Sequence, residues 1–262
     1  ISKYEIKTKD YKLNQPILKV LVRTEEQLNA AMDLKADIIY VLDNDLYNKY
    51  KDKYPNLILG ISRIITNVLN YDNDKLLVGD LGGLFKYKDK HSTSDYSLNI
   101  VNSYSVALLN SLGVNNITLS YELTKDQIKD LIIKYQQRYK MNPNLEMIVY
   151  GKQEMMATKF CLISTYTSCN CKKKQYYLKD RMNYDYDIIT DSNCINYILN
   201  PKTLVLGDCL DEVLTLGINN LRLNFTNEDY ELTKRIIKAY QNKLQGNDFK
   251  LDMLGKTFGY FK

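Results

Sequence analysis

The chain alternates short apolar runs with amphipathic stretches over most of its length. Residues 17–23 (ILKVLVR) and 37–42 (DIIYVL) are short and rich in apolar and β-branched residues, which is typical of buried strands. Between them, Thr24 and Gln27 form a capping-box pattern that marks the start of an amphipathic helix. On the same reasoning we predict eight main strands, which begin near residues 17, 37, 56, 75, 95, 115, 145 and 219.

Strands that alternate with helices predict a parallel sheet, and eight of them predict a closed α/β fold, the (β/α)₈ TIM-type barrel. Such a barrel needs about 250 residues, and the chain has 262. An open doubly wound sheet is disfavoured because no G-x-G-x-x-G follows the first strand. We therefore predict one barrel domain over residues 1–262, with a cysteine-rich insertion over 152–202. The insertion follows the seventh strand, at the end of a barrel where active sites are found.

The composition of the chain bears on its binding partners and on its location in the cell. The net charge of +5 permits RNA as a partner without requiring it. No apolar run approaches the roughly 20 residues that span a bilayer, so we predict no membrane association and a cytoplasmic location. The chain begins at Ile1 without a secretory leader, and we expect a segment of a longer chain, completed by further domains or by a partner subunit.

Four of the five cysteines lie within 34 residues, and this clustering predicts a metal site. Cys161, Cys169, Cys171 and Cys194 are separated by seven, one and 22 residues. In a reducing compartment, clustered thiols bind metal more often than they form disulfides. Zinc sites usually show two close pairs, whereas iron–sulfur clusters accept more irregular spacing. The lysines at 172–174 would offset the negative charge of a four-iron cluster. The sequence alone does not decide between zinc and an iron–sulfur cluster.

Five further residues are candidates because of their place at the predicted barrel strands. Glu122, after the sixth strand, is a candidate catalytic base. Arg222 lies within the eighth strand, where a buried guanidinium requires a partner such as Glu122 or an anionic ligand. Asp95, Asn99 and Asn102 lie on and after the fifth strand and are candidate substrate-binding residues, although Asn102 equally suits a helix cap.

Protease chemistry of the common classes is disfavoured. The single histidine, His91, lies in a polar stretch (KYKDKHSTSD) that predicts a solvated loop. A Ser-His-Asp or Cys-His arrangement needs its imidazole beside the nucleophile. The H-E-x-x-H pattern of zinc proteases is absent.

Several stretches resemble one known family. They are KVLVRTEEQLNAAMDLKADIIYV (19–41), DYSLNIVNSYSVALLNSLGV (95–114), ITLSYELTKDQI (117–128), the cysteine region from Phe160 to Asn200, and LRLNFTNE (221–228). Together they cover nearly the whole chain, and they are similar to collagenase-like peptidase family U32, in particular to the last barrel of its long members. The cysteine region is the most specific part of this resemblance.

The resemblance carries its own expectations about chemistry. The family takes its name from a reported collagenase activity. Its better understood members hold a four-iron, four-sulfur cluster on four cysteines and hydroxylate an RNA pyrimidine or a ubiquinone precursor without oxygen. The RNA-modifying members use prephenate as the oxygen source. The resemblance implies that Cys161, Cys169, Cys171 and Cys194 are the cluster ligands. It favours an RNA-hydroxylating domain; the alternatives are a collagenase-like peptidase and a non-catalytic binding barrel with a structural metal.

Three positions depart from the family pattern. The close cysteine pair is C-N-C, where related chains have at least two residues between the cysteines. Tyr150-Gly151 stands where His-Gly is common. The first strand runs into VRTEE (22–26) instead of a Pro-Ala-Gly turn. A secondary, partly degenerate barrel would show such losses.

Overall fold

The computed structural model describes residues 3–12, 15–64, 71, 73–166, 168 and 174–262. Eight parallel strands follow one another around a closed barrel, because the last strand pairs with both the first and the seventh. This confirms the predicted α/β TIM-type barrel. The barrel strands are β1 (Ile17–Val22), β2 (Ile38–Val41), β3 (Leu57–Ile61), β4 (Lys75–Val78), β5 (His91–Ser94), β6 (Asn116–Thr118), β7 (Leu145–Thr158) and β11 (Asn220–Asn224).

Most of the helices cover the outside of the barrel and begin at a residue whose side chain caps the first turn. Thr24 accepts a hydrogen bond from the backbone N–H of Gln27 (3.2 Å), which starts the first helix as the sequence predicts. None of the helices in the described ranges is long and apolar enough to cross a membrane. The helices are α1 (Glu25–Asp33), α2 (Asn44–Tyr50), α3 (Leu81–Lys86), α4 (Ser103–Ser111), α5 (Lys125–Tyr139), α6 (Leu162–Tyr166), α7 (Leu210–Thr215) and α8 (Tyr230–Leu244).

The fifth strand lies earlier than predicted. The sequence places it from residue 95, but β5 is His91–Ser94 and is followed by a short 3-10 turn, Tyr96–Leu98. His91 is therefore the first residue of a strand instead of part of a loop, although its side chain is exposed. The error arose because β5 is polar: pairing with β4 and β6 keeps the strand in the barrel without an apolar signal.

β7 continues beyond the barrel and begins a second, antiparallel layer. It pairs with β10 (Asn196–Val205), which pairs in turn with β9 (Asp185–Thr190) and then β8 (Tyr176–Lys179). A short strand, β12 (Lys256–Thr257), pairs with the far end of β10. We call the part of this layer formed by β8, β9, β10 and the end of β7 the insertion sheet. It extends from the carboxyl end of the barrel.

Gly151 marks the point where β7 leaves the barrel. Its φ of 134° is a conformation that side chains disfavour. A Cβ atom at this position would lie 2.4 Å from the carbonyl oxygen of Asn224, at the end of β11. The absence of a side chain therefore lets the end of β11 approach β7 closely at this point.

Replacement of Gly151 by alanine should destabilise the chain more than the same change at Gly113. Gly113 also has a positive φ (88°), but a Cβ there would meet nothing within 4 Å. Gly113→Ala should cost about 1 kcal/mol from the backbone alone. Gly151→Ala should cost a further ~1–3 kcal/mol, because the new methyl group overlaps the Asn224 carbonyl. Urea unfolding of both variants measures the difference, and equal losses would contradict the close approach.

Candidate functional site

The barrel interior is organised around the carboxylate of Glu146 on β7, which is fully buried. Lys19 on β1 donates to its Oε2 (2.7 Å), and the Tyr40 hydroxyl on β2 donates to the same atom (3.1 Å). Thr118 on β6 donates to Oε1 (3.1 Å). The Nε atom of Arg222 on β11 lies 3.0 Å from Oε1 as an ion pair, without hydrogen-bond alignment. One carboxylate thus connects five of the eight barrel strands.

Arg222 is paired inside the barrel, and its partners differ from the one suggested by the sequence. Its Nη2 donates to Oδ1 of Asp95 (2.6 Å), and Glu146 is its second carboxylate. The suggested partner Glu122 was wrong, because its side chain is exposed in the turn after β6. The backbone N–H of Glu122 donates a hydrogen bond to the hydroxyl of Ser120 (3.3 Å). The structure brings Asp95 and Arg222 together and keeps Glu122 apart from them; catalytic roles for Glu122 and Arg222 stay predictions.

The buried charges of this network balance one another. Lys19 and Arg222 are the cations, and Glu146 and Asp95 are the anions. Burial opposes the ionisation of Glu146, but the charges of Lys19 and Arg222 outweigh it and hold the pKa of Glu146 below its ordinary value. For Arg222, burial is likewise outweighed by Asp95 and Glu146, so its pKa is raised. The two positive and two negative charges of the network therefore sum to zero.

Of the three predicted substrate-binding residues, Asp95 alone reaches the barrel interior. Asn99 is exposed and ends the 3-10 turn with a φ of 51°. Asn102 takes the capping role, since its Oδ1 accepts hydrogen bonds from the backbone N–H groups of Tyr104 (3.0 Å) and Ser105 (2.9 Å). Substrate contact by Asn99 and Asn102 stays a prediction.

Above the interior network, two arginines share one carboxylate at the carboxyl end of the barrel, which we call the mouth. Arg23, just after β1, donates from Nη2 to Oε1 of Glu154 (2.9 Å), and Nη2 of Arg63 lies 3.4 Å from Oε2. Both guanidinium groups stand over the ring of Tyr197, at 5.8 and 5.7 Å from its centre. Tyr197 belongs to β10, so the insertion sheet covers the mouth.

This arginine pair was missed by sequence reasoning. Besides Glu154, Asp95 lines the same cavity, and Asp43 and Asp191 line the groove beside Arg23. The Nε atoms of both arginines are buried and have no hydrogen-bond partner within the described ranges. The space left beside them is about 30 Å³. A wider groove of about 540 Å³ begins at Arg23 and runs between the barrel loops and the insertion sheet. Its lining includes Thr24, Asn227, Thr190 and Asp191.

The turn that carries Cys194 is bonded to the mouth through Asp191. Oδ2 of Asp191 accepts hydrogen bonds from the hydroxyls of Ser62, just after β3 (3.3 Å), and of Tyr197 (3.1 Å). Oδ1 of Asp191 accepts from the backbone N–H of Ile195 (2.9 Å), which closes the turn around Cys194. The carboxylate therefore holds the cysteine-bearing turn against the barrel.

Two of the four predicted cysteine ligands lie among the described residues, at the same end of the β7–β10 pair. Cys161 follows β7 closely, and Cys194 lies two residues before β10, in the turn after β9. Hydrogen bonds from Ser164 hold the pKa of the Cys161 thiol below its ordinary value. Cys169 and Cys171 lie outside the described residues. Among those the structure describes, no group of three or more His, Cys, Asp or Glu side chains could hold a metal ion.

Removal of the charge at the centre of the barrel should be costly. In Glu146→Gln, Lys19 loses its carboxylate partner and Arg222 keeps only Asp95. We expect a loss of about 3–5 kcal/mol in the free energy of unfolding. The control is Glu212→Gln, which breaks a partly exposed pair with Lys125 and should leave the free energy of unfolding nearly unchanged, because solvent screens the pair. Chemical unfolding measures both, and similar losses would show that Glu146 is not the centre of the network.

The chain resembles several solved structures at low sequence identity. The chain is 9% identical to the U32 peptidase Mk0906, with a TM-score of 0.46 over 84% of this chain and 98% of that one. The spore cortex-lytic enzyme SleL of Bacillus cereus is 7% identical, with a TM-score of 0.43 over 91% of this chain and 76% of that one. SleL of Bacillus megaterium QM B1551 is also 7% identical, with a TM-score of 0.42 over 92% and 76%.

Sequence comparison gives the family. No protein of curated function matches the chain. The sequence profile described as "Peptidase family U32" matches residues 54–248, which is well over half of the chain and spans β3 to α8 with the cysteine region. The chain therefore belongs to peptidase family U32.

Proposed function

We propose that this chain is the iron–sulfur barrel of an RNA-hydroxylating enzyme, with a four-iron cluster on Cys161, Cys169, Cys171 and Cys194. The observation that carries the proposal is the bonding of Asp191 to Ser62 and Tyr197. Because of it, the turn with Cys194 adjoins the arginine-lined mouth. A metal group and a substrate would then be neighbours at the end of the barrel where such folds place their chemistry.

The side chains around the two described thiols are suitable for a bound metal group. Oδ1 of Asn196 and Oγ1 of Thr190 are buried and lack hydrogen-bond partners in the described chain. The two residues are register partners on β10 and β9, beside Cys194. Buried polar atoms are rarely left unpaired, so these two favour a further polar group here. Thiolates are the usual ligands of iron–sulfur clusters, which supply electron-transfer chemistry when bound; zinc is the alternative, as a structural metal.

The arginine pair suits an anionic co-substrate. Arginine forms paired hydrogen bonds with carboxylates, and the Nε donors of Arg23 and Arg63 have no partner in the described part of the chain. Prephenate, which the family resemblance suggests as the oxygen source, is a dicarboxylate. The adjoining groove of about 540 Å³ lies within the usual size of ligand sites. RNA would approach from this side, presented by other domains of a longer chain or by a partner subunit.

The peptidase alternative follows from the family description itself. His91, the single histidine, begins β5 and so lies at the amino end of the barrel, opposite the mouth. A histidine-assisted nucleophile at the mouth is therefore not available. Gelatin cleavage that survives replacement of Cys161 and Cys194 by serine would favour a peptidase over the hydroxylase.

The metal content tests the proposal directly. After anaerobic purification, we expect iron and acid-labile sulfide in equal amounts with a broad visible absorbance band. Cys161→Ser and Cys194→Ser should each lose most of both. The control is Cys209→Ala, which removes a buried thiol at the start of α7 and should keep the cluster. Zinc without sulfide, or a chain without metal, would rule out the hydroxylase and leave a structural barrel.

Arg63→Met should weaken the binding of prephenate measured by titration calorimetry. The loss of one charged hydrogen-bonding group predicts about a 10- to 100-fold lower affinity. Glu154 keeps Arg23 as its partner in this variant, so the mouth stays assembled. Arg181→Met, in the exposed turn between β8 and β9, is the control and should bind as the wild type does. Unchanged affinity in Arg63→Met would remove the mouth from consideration as the anion site.

A further inference from the structure

The cavity of about 30 Å³ at the mouth brings together three residues with unpaired polar atoms. Two of these atoms are the Nε donors of Arg23 and Arg63, and the third is the Oδ1 acceptor of Asn224, the last residue of β11. All three atoms are buried and have no hydrogen-bond partner in the described part of the chain. Buried polar atoms are rarely left unpaired, so the cavity favours a polar ligand group that pairs with donors and an acceptor together.

The amide of Asn224 is held in an orientation that leaves its acceptor unpaired. Its Nδ2 donates a hydrogen bond to the hydroxyl of Tyr121, just after β6 (3.0 Å). The ring of Tyr121 packs edge-on against the ring of Tyr96, with 4.9 Å between the ring centres, and Tyr96 also lines the cavity. Asn224 itself is buried. Its nitrogen is therefore anchored to the barrel, whereas Oδ1 is left for a donor that the described chain does not supply.

A carboxylate group alone does not satisfy these three atoms. It accepts hydrogen bonds from guanidinium groups but has no proton to donate to Asn224. It would also meet the carboxylates of Asp95 and Glu154, which line the same cavity. A hydroxyl group beside the carboxylate supplies the missing donor. The cavity has room for such a small polar end. The rest of the ligand would lie in the groove of about 540 Å³, because Arg23 and Leu42 line both spaces.

We propose that the mouth binds a hydroxy acid and that Asn224 is the specificity-determining residue, whose Oδ1 accepts a hydrogen bond from the ligand hydroxyl. The inference rests on the proposed anion site at Arg23 and Arg63 and is independent of the metal. Prephenate, which carries a hydroxyl group, belongs to this class. Because Asn224 is buried, an acid without the hydroxyl leaves Oδ1 unpaired, and such sites discriminate strongly against the analogue that lacks the donor.

Malate and succinate test the inference, because these two dicarboxylates differ by one hydroxyl group. Titration calorimetry on the whole chain measures the affinity for succinate and for each enantiomer of malate. We expect the wild type to bind one enantiomer of malate about tenfold more tightly than succinate. In Asn224→Leu this ratio should fall to about one, through loss of affinity for malate alone. Arg63→Met should weaken both acids alike. Asn200→Leu, on β10, whose amide contacts the sulfur of Met155, is the matched control and should keep the ratio.

Tyr121→Phe is a second variant that keeps the test decisive if Asn224→Leu does not fold, as checked by circular dichroism. It removes the hydroxyl that anchors Nδ2 of Asn224, so the ratio should fall here as well. Equal affinities of the wild type for malate and succinate, or an unchanged ratio in the folded variant, would overturn this inference alone if prephenate still binds. A wild type that binds none of the three acids would overturn the proposed anion site, and the inference with it.

Discussion

The carboxylate of Glu146 is the constraint on which the barrel depends. Burial of an ionised group away from water costs several kcal/mol unless partners surround the group. Here the partners of Glu146 come from four other strands. The interior is therefore divided: an ionic layer around Glu146 and an apolar cluster of Leu21, Tyr40, Ile58 and Leu77. Many barrels fill this space with branched aliphatic residues alone. In this chain the strands must meet in one arrangement, because any other leaves Glu146, Lys19 or Arg222 without a partner.

One strand connects this constraint to the functional end. β7 carries Glu146 in the interior and Glu154 at the mouth, and it ends just before Cys161. Between the two acids, Gly151 lets the strand leave the barrel against Asn224. The arginine pair and the first cysteine are thus positioned by the strand whose register Glu146 determines. Because Arg222 is held by Asp95 and Glu146, the arginines with unpaired Nε donors at the mouth are Arg23 and Arg63, one level above it.

The sequence predicted the barrel well because seven of its strands carry apolar signals and capping patterns mark helices between them. It misplaced β5, where HSTS has no apolar signal and only tertiary pairing shows the strand. Glu146 had a readable signal, a lone acid within the apolar run LEMIVYG, but its partners are up to 127 residues away. The pair of Arg23 with Glu154 spans 131 positions and depends on the extension of β7. Such pairings follow from closure of the barrel, which local patterns do not encode.

The geometry of the mouth also bears on how a ligand could enter. A guanidinium group has five N–H donors, and Glu154 receives a single hydrogen bond from Arg23 and a longer contact from Arg63. An anion can therefore bond the unpaired donors without separating Glu154 from the arginines. Tyr197 is held by Asp191 independently of Glu154. A ligand that bound the proposed anion site at the arginines would thus need no release of the insertion sheet and would reach them through the groove beside Arg23.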